Sequence, residues 1–460
     1  MAEEQNEESA RADGDYEIDQ DVLRQVRVAV AVGDAELLTQ LLEPLHAADI
    51  ADLLEQVDDE TRVELVQLYG REFDGEILSE LDESIREEVI GALHPEVLTE
   101  AVRELETDDV VDLIEDLEAP QQAAILDALE APDRVAVEQS LTYPEFSAGR
   151  LMQREMVVAP EHWTVGEAID FMRSSDDMPE QFYHVILIDP RWHPTGYVTL
   201  GKLLSSKRAV PLREIAEDSF RTIDVMEEEG DVAYAFNQYH LISAPVVDED
   251  ERLVGVITID DAMAVLDEEH EEDILRLAGV GEGSLSDSVV ETTKQRLPWL
   301  AVNLVTAILA SVVIAQFEGV IAQVVALAVL MPIVASMGGN AGTQALTVAV
   351  RSIATRDLTG ANVWRVVRRE VMVGLVNGLV FAAVMGAVGW FWFDSGLIGG
   401  VLAAAMIINL VVAGLAGIIV PVTLERVGVD PALASGAFVT TVTDVVGFFA
   451  FLGLAAMVLL

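Results

Sequence analysis

The sequence predicts a multidomain protein whose soluble part is α-helical and then α/β, followed by a polytopic α-helical membrane domain. Three observations carry this prediction. Five long apolar stretches lie in the last third of the 460 residues, at Leu297 to Phe317, Gly319 to Val350, Val371 to Phe393, Ser395 to Leu424 and Pro431 to Leu460. Each is long enough to cross about 30 Å of hydrocarbon. The remaining 296 residues hold 73 acids against 21 bases, whereas residues 297–460 are nearly neutral with seven acids and six bases. Two internal repeats of different character divide the soluble part.

Residues 1–20 are polar and acidic and read as a disordered tail. The N-terminus, Met1-Ala2-Glu3-Glu4-Gln5, lacks the basic region and apolar core of a cleaved signal, so the soluble part is expected to stay on the side where it is made. Residues 21–143 show helical apolar spacing. Within them Ile50-Ala51-Asp52-Leu53-Leu54-Glu55-Gln56-Val57 returns sixty residues later as Val110-Val111-Asp112-Leu113-Ile114-Glu115-Asp116-Leu117. With breaks at His94-Pro95, Ala119-Pro120 and Ala131-Pro132, this predicts a small helical superhelix.

The second repeat is sharper. Leu187-Ile188-Asp189 through Gly196-Tyr197-Val198-Thr199 matches Val246-Val247-Asp248 through Gly255-Val256-Ile257-Thr258 at a constant offset of 59. Each copy reads as a β-branched strand, an Asp-initiated turn and a second strand leading into a helix. This resembles a tandem pair of CBS domains, spanning residues 144–272. In adenosine-binding members of that family, a pattern matching Gly255, Thr258 and Asp261 holds the ribose, which makes an adenine nucleotide such as ATP a candidate ligand. Two readings of Thr258 and Asp261 stay open, ribose contact and capping of the following helix. In the first copy Lys202 replaces the Asp.

Residues 273–296 are predicted to form a connecting helix, interrupted by glycines at 279–283, entering the membrane at Leu297-Pro298-Trp299. It reads equally as a lever or as a passive linker. Bases cluster before the first span (Lys294, Arg296), between the second and third (Arg351, Arg356, Arg365, Arg368, Arg369) and between the fourth and fifth (Arg426). The positive-inside rule then places the soluble domains in the cytoplasm and, after five spans, the C-terminus outside.

Asp444 is the one charged side chain inside any of the five stretches, in Thr443-Asp444-Val445-Val446-Gly447. A carboxylate at that depth costs roughly 2.5–3.5 kcal/mol on insertion scales and usually marks an ion pathway or a proton relay. The second stretch is too long for one simple span and contains Pro332 and Ser336-Met337-Gly338-Gly339-Asn340-Ala341-Gly342-Thr343-Gln344. Its glycines suit close helix packing; Asn340, Thr343 and Gln344 favour a pore lining. Asn303, Asn377 and Asn409, single polar residues in their spans, read as interhelical hydrogen bonds.

Taken in order, the superhelix, the CBS pair, the connecting helix and five spans carrying Gly338 to Gln344, Asp430-Pro431-Ala432-Leu433-Ala434-Ser435-Gly436 and Thr443 to Gly447 resemble the MgtE family of magnesium channels over nearly the whole chain. The resemblance implies a homodimeric, Mg²⁺-selective channel with its pore between protomers, closed by cytoplasmic Mg²⁺; Co²⁺ and Ni²⁺ are further candidate ions. Asp444 falls on the family's pore carboxylate and Asn340 on its pore segment. Asp108 and Asp112 in the helical domain, with Asp261, Glu269, Glu272 and Asp273 in and after the second CBS domain, fall on its regulatory Mg²⁺ ligands. Some members carry a second Asn eight residues before the pore carboxylate, where this chain has Gly436.

The chemistry agrees with that implication. Mg²⁺ sheds water reluctantly and is often held through outer-shell oxygens, so opposed Asp444 side chains suit a hydrated ion. Asp108 and Asp112 lie four residues apart, as do Glu269 and Asp273, and like charges at that spacing repel until a divalent ion neutralises them. The excess of acid over base, with three lysines against 24 arginines and no cysteine, reads as adaptation to high salt, as in a halophile. No basic patch meets nucleic acid, and neither nucleophile–base pairs nor a zinc-type histidine cluster suggests an enzyme. Two alternatives to a channel remain, a proton-coupled divalent-cation carrier using Asp444 as its relay and a membrane-anchored nucleotide sensor without transport.

Overall fold

The computed structural model describes residues 18–460 apart from 116, 118, 176–177, 180, 218–219 and 281–288. Most of the expected acidic tail and most of the glycine-rich break at 279–283 lie outside the described residues. The chain divides into two compact units, Met1–Glu269 and His270–Leu460.

The first unit opens with short helices from Gln20–Val32 to Ala131–Ser140. Their starts are set by polar caps: Asp34 and Asp58 accept from the backbone N–H of Leu37 and Thr61, and His46 forms a capping box with Asp49. The sixty-residue repeat becomes two helices of matching length, Ala47–Glu55 and α1, Thr107–Glu115. Ile50, Ala51, Leu53 and Leu54 are buried in the first and Val110, Val111, Leu113 and Ile114 in the second, all in one core. Each fully buried Leu contributes roughly 1.5–3 kcal/mol of transfer free energy. Two buried arginines tie neighbouring helices together. Arg62 donates to the carbonyls of Leu54 (2.8 Å) and Val57 (3.1 Å), and Arg86 donates to the carbonyl of Leu81 (3.1 Å) and to Asp112 (2.9 Å).

The CBS repeat folds twice in the same way. Strands β1 (Val157–Pro160), β2 (His184–Ile188) and β3 (Pro194–Thr199) form one sheet, and β4 (Ile223–Asp224), β5 (Ser243–Val247) and β6 (Leu253–Thr258) the other. In each, the first pair is parallel and the second antiparallel. The offset of 59 survives in detail: Leu187 pairs with Gly196 as Val246 does with Gly255, and the register shifts after Leu187 and after Val246. Asp189 accepts from the N–H of Arg191 and His193, and Asp248 from those of Asp250 and Arg252, which accounts for the aspartate at each turn. His184 and Ser243, equivalent positions of the two copies, hydrogen-bond to each other.

Helix α2, Ile259–Leu277, follows β6 directly and ends in Gly279 at φ 73°. The connecting helix expected over 273–296 is therefore not one element: its beginning is the last turn of α2 and its end is the start of α3, Val289–Ala315.

Among the described residues, five helices of the second unit are long and apolar enough to cross a membrane. The over-long second stretch resolves into a short helix α4, Glu318–Gln323, and a full span α5, Ala326–Ala354, which continues through Pro332. Helices α6 (Val363–Phe393), α7 (Gly396–Arg426) and α8 (Pro431–Leu459) complete the domain. Helix α6 begins eight residues before the apolar stretch at Val371, so Arg365, Arg368 and Arg369 lie on helix and not in a loop; arginine is a good helix former. Helix α7 is the most enclosed, with fifteen buried residues, and packs between α6 on one side and α5 and α8 on the other.

Candidate ion pathway and cation-sensing acids

Helices α5, α7 and α8 meet around Asn409, which is fully buried on α7 and donates from Nδ2 to the carbonyl of Val334 on α5 at 2.8 Å. This is the interhelical bond expected of it. Asn303 and Asn377 are exposed, and among the described residues neither forms such a bond. The space for Asn409 exists because Gly338 and Gly447 carry no side chain. A Cβ on Gly338 would lie 2.1 Å from Asn409 Nδ2, and one on Gly447 2.8 Å from the same atom. Gly342 is equally tight, since its Cβ would lie 2.6 Å from Val439 Cγ1 on α8. Close packing therefore accounts for Gly338 and Gly342.

The polar residues of the same segment do something else. Ser336, Asn340, Thr343 and Thr347 recur at helical spacing on α5 and are all exposed, with Gln344 beside them. The α5 segment packs against the turn of α8 that precedes Asp444: Gly342 meets Val439 and Thr443, and a Cβ on Gly339 would lie 4.0 Å from Thr440 Cγ2. Thr440, Thr441 and Thr443 satisfy their hydroxyls on backbone carbonyls of their own helix. Asp444, near the midpoint of α8, is half-buried and has no hydrogen-bond or ion-pair partner among the described residues. The two segments, about a hundred residues apart in sequence, thus pack against each other through Gly339 and Gly342, one segment carrying the polar stripe and the other the uncompensated carboxylate.

A second concentration of acid lies in the first unit. Asp108 is buried at the start of α1 and its Oδ2 meets no partner. Burial first, then Asp261, Asp109, Glu106 and Glu155, hold its carboxyl well above the usual range. Burial first, then Glu155 and Asp109, pushes Glu106 up to about 7; burial, then Asp261 and Asp112, does the same to Asp109; and burial, then Asp260, raises Asp261. Glu155 is fastened by Thr107 (2.7 Å to Oγ1) and the N–H of Arg154, and Glu106 accepts from Gln153 Nε2 at 2.9 Å. Buried carboxylates with so little countercharge suit a divalent cation. Asp261 also accepts from Thr258 Oγ1 at 2.5 Å, so the capping geometry is realised in the first turn of α2. Lys202, its counterpart in the first copy, pairs with Glu217 at 3.0 Å.

Asp112 sits apart from Asp108, ion-paired with Arg86 and largely exposed. It and Glu269 flank Glu229, which burial and then Glu268, Glu269, Glu115 and Asp112 push up to about 7. Glu272 and Asp273 belong to the second unit. There Arg276 bridges Glu272 (2.7 Å) and Asp430 (3.1 Å), while burial and Asp430 raise the carboxyl of Asp273. Asp430 also caps α8, accepting from Ala432 N–H at 2.7 Å. The six acids thus fall into three groups, and among the described residues no three His, Asp or Glu side chains are already arranged to hold an ion. Sequence reasoning missed Glu106, Asp109, Glu155 and Glu229 as members, and Asp430 as a neighbour of Asp273. Only Asp430 had a signal, its place in a quoted motif.

Residues 331–454, which contain both Asn340 and Asp444, match the divalent cation transporter family MgtE, residues 45–146 its intracellular N domain, and 148–208 and 212–268 the CBS domain. The magnesium transporter MgtE of Enterococcus faecalis is 32% identical over 315 residues, covering 68% of this chain and 70% of the relative. The chain belongs to the MgtE family. The magnesium transporter MgtE of Thermus thermophilus is 33% identical over 321 residues, covering 69% and 71%. A crystal structure of the cytosolic domain of the Mg²⁺ channel MgtE in complex with ATP matches with a TM-score of 0.50 and 29% identity, covering 53% of this chain and 99% of that one. MgtE membership makes the protein a transporter and not an enzyme, and it accounts for the helical domain, CBS pair and five spans together.

Proposed function

We propose that the protein is a homodimeric, Mg²⁺-selective channel for magnesium uptake across the cell membrane. Asp444 and the polar stripe around Asn340 line its path, the soluble domains are cytoplasmic and the C-terminus is outside. The observation that carries the reading is the packing of the Gly338 to Gln344 segment against the turn before Asp444. It supports the reading because Asp444, which has no partner among the described residues, directly follows Thr443, one of the residues that Gly342 meets, near the midpoint of a helix long enough to span a membrane. Paired across a dimer axis, such carboxylates repel unless a cation lies between them, and they bind a hydrated ion without stripping it. Selectivity then depends on pore width and carboxylate field.

Closure by cytoplasmic Mg²⁺ is proposed to rest on Asp108 with Asp261, on Asp112 with Glu269, and on Glu272 with Asp273. The unpartnered Oδ2 of buried Asp108 supports this, because its environment disfavours the free carboxylate. A bound divalent ion would neutralise these acids and hold their helices together; the residues themselves supply the repulsion that opens them. ATP is proposed as a ligand of the CBS pair near Thr258 and Asp261, in line with the ATP complex of the cytosolic MgtE domain. Electrical recording from reconstituted bilayers tests the reading. A channel gives Mg²⁺ current without a pH gradient; a current that requires the gradient would make Asp444 a proton relay in a carrier, and no flux at all would leave a sensor.

A further inference from the structure

We propose that the outward face of α6, near its N-terminal end, is a binding site for the phosphate headgroup of an anionic membrane lipid. Arg365, Arg368 and Arg369 line a shallow depression of about 550 Å³ together with Met372, Val376 and Asn377. The three guanidinium groups lie within five residues of a chain that carries 80 acids, yet among the described residues only Arg369 of the three is paired, with Glu370 at 3.0 Å. Among the described residues Arg365 and Arg368 meet no acid. Spaced three and four residues apart, the arginines repel one another on one helical face, and an anion in the depression relieves that repulsion.

The surroundings select a lipid. Met372, Val373 and Val376 are about half exposed, and Leu379, Val380 and Val384 continue the apolar stripe along the same helix. From Arg365 to Met372 the helix rises about 10 Å, so the exposed apolar side chains begin beyond the arginines, on the side to which the acyl chains of a lipid held by its phosphate would run. One amphiphile therefore satisfies both ends: phosphate oxygens take the planar guanidinium forks while the chains cover the exposed valines. A soluble phosphate would use only the lower half of this surface, and a second copy of the chain would have to bring carboxylates to Arg365 and Arg368. Clusters of this kind at the membrane boundary recognise anionic headgroups. The inference does not depend on Asp444 conducting.

Native mass spectrometry of the full-length protein released from nanodiscs of mixed phosphatidylglycerol and phosphatidylcholine tests it. The protein should retain phosphatidylglycerol in preference, and Arg365→Gln with Arg368→Gln should weaken that retention roughly thirtyfold. Arg369→Gln should do less, since Glu370 already holds its charge. The double Lys variant, which keeps charge without the fork, should fall between, and this separates lipid binding from any folding defect. Equal retention of both lipids, unchanged retention in the Gln variant, or displacement of the lipid by excess inorganic phosphate would each overturn the proposal. So would cross-linking of Val376→Cys to its counterpart in a second copy.

Discussion

Adjacent glycines in the Gly338-Gly339 pair should respond very differently to a single methyl group. In Gly338→Ala the new Cβ would lie 2.1 Å from Asn409 Nδ2, 2.8 Å from its Cγ and 2.9 Å from its Oδ1, all closer than real contacts allow. Asn409 has nowhere to retreat, because it is fully buried and Gly447 closes the other side. The substitution therefore breaks the hydrogen bond to Val334, worth about 0.6–1.7 kcal/mol inside a membrane. It also overpacks the junction at about 1–3 kcal/mol, so the loss is about 2–4 kcal/mol. Gly339→Ala meets only Thr440 Cγ2 at 4.0 Å and should be neutral or, through better helix propensity, stabilising by up to about 1 kcal/mol. Unfolding in mixed micelles by a graded denaturing detergent reads both. Adding Asn409→Ala to Gly338→Ala should recover part of the loss, since the methyl then has room. Equal stability of the two single variants would refute the three-helix junction.

Other expected outcomes follow from the acids. For Glu106 and Asp109, whose folded-state carboxyls sit at about 7 against ordinary values of 4.5 and 3.8, the folded form binds protons more tightly. Their contribution to stability is complete below those ordinary values and lost as pH rises towards 7, so without divalent ions the first unit should become more resistant to urea on acidification from pH 7.5 to 5; resistance that falls would contradict the burial. Millimolar Mg²⁺ should remove most of that pH dependence if the acids hold an ion. In about 2 M KCl, where diffuse repulsion is screened beyond about 3 Å, Mg²⁺ should still increase protease protection of residues 1–296. No increase would assign the acids to salt adaptation alone. A double-mutant cycle on Arg276→Gln and Asp430→Asn should give a coupling of about 0.5–1 kcal/mol, small because both groups are about 30% exposed.

The elements most legible in the sequence are those written in one period or one offset. The CBS strands, their Asp turns and even the matching register shifts follow from the 59-residue repeat. The superhelix follows from residues such as Ile50 and Leu53 and their echoes Val110 and Leu113. What stayed hidden depends on distance in sequence. Glu155 joins Thr107 across 48 residues, and nothing in either neighbourhood announces that meeting. The glycine interruption of the connecting segment was legible; that its first residues continue α2 was not, because polar helical spacing runs on through Asp273 without a break. In the membrane domain the Gly338 segment carried two signals at once: its glycines serve packing against Asn409 and Val439, while Asn340 and Thr343 turn to the exposed side. The two roles separate only when the segment is folded against α7 and α8.

The central claim is that Asp444 faces permeating Mg²⁺, and Mg²⁺ influx into vesicles reconstituted with Asp444→Asn tests it most directly. The variant keeps the size of the side chain, and Asp444 has no protein partner among the described residues whose loss would unfold the helix. The account predicts a correctly inserted, normally assembled protein whose Mg²⁺ flux falls at least about tenfold, because the charge that balances the ion in a low-dielectric path is gone. Flux equal to that of the unaltered protein would make Asp444 a packing residue and contradict the account.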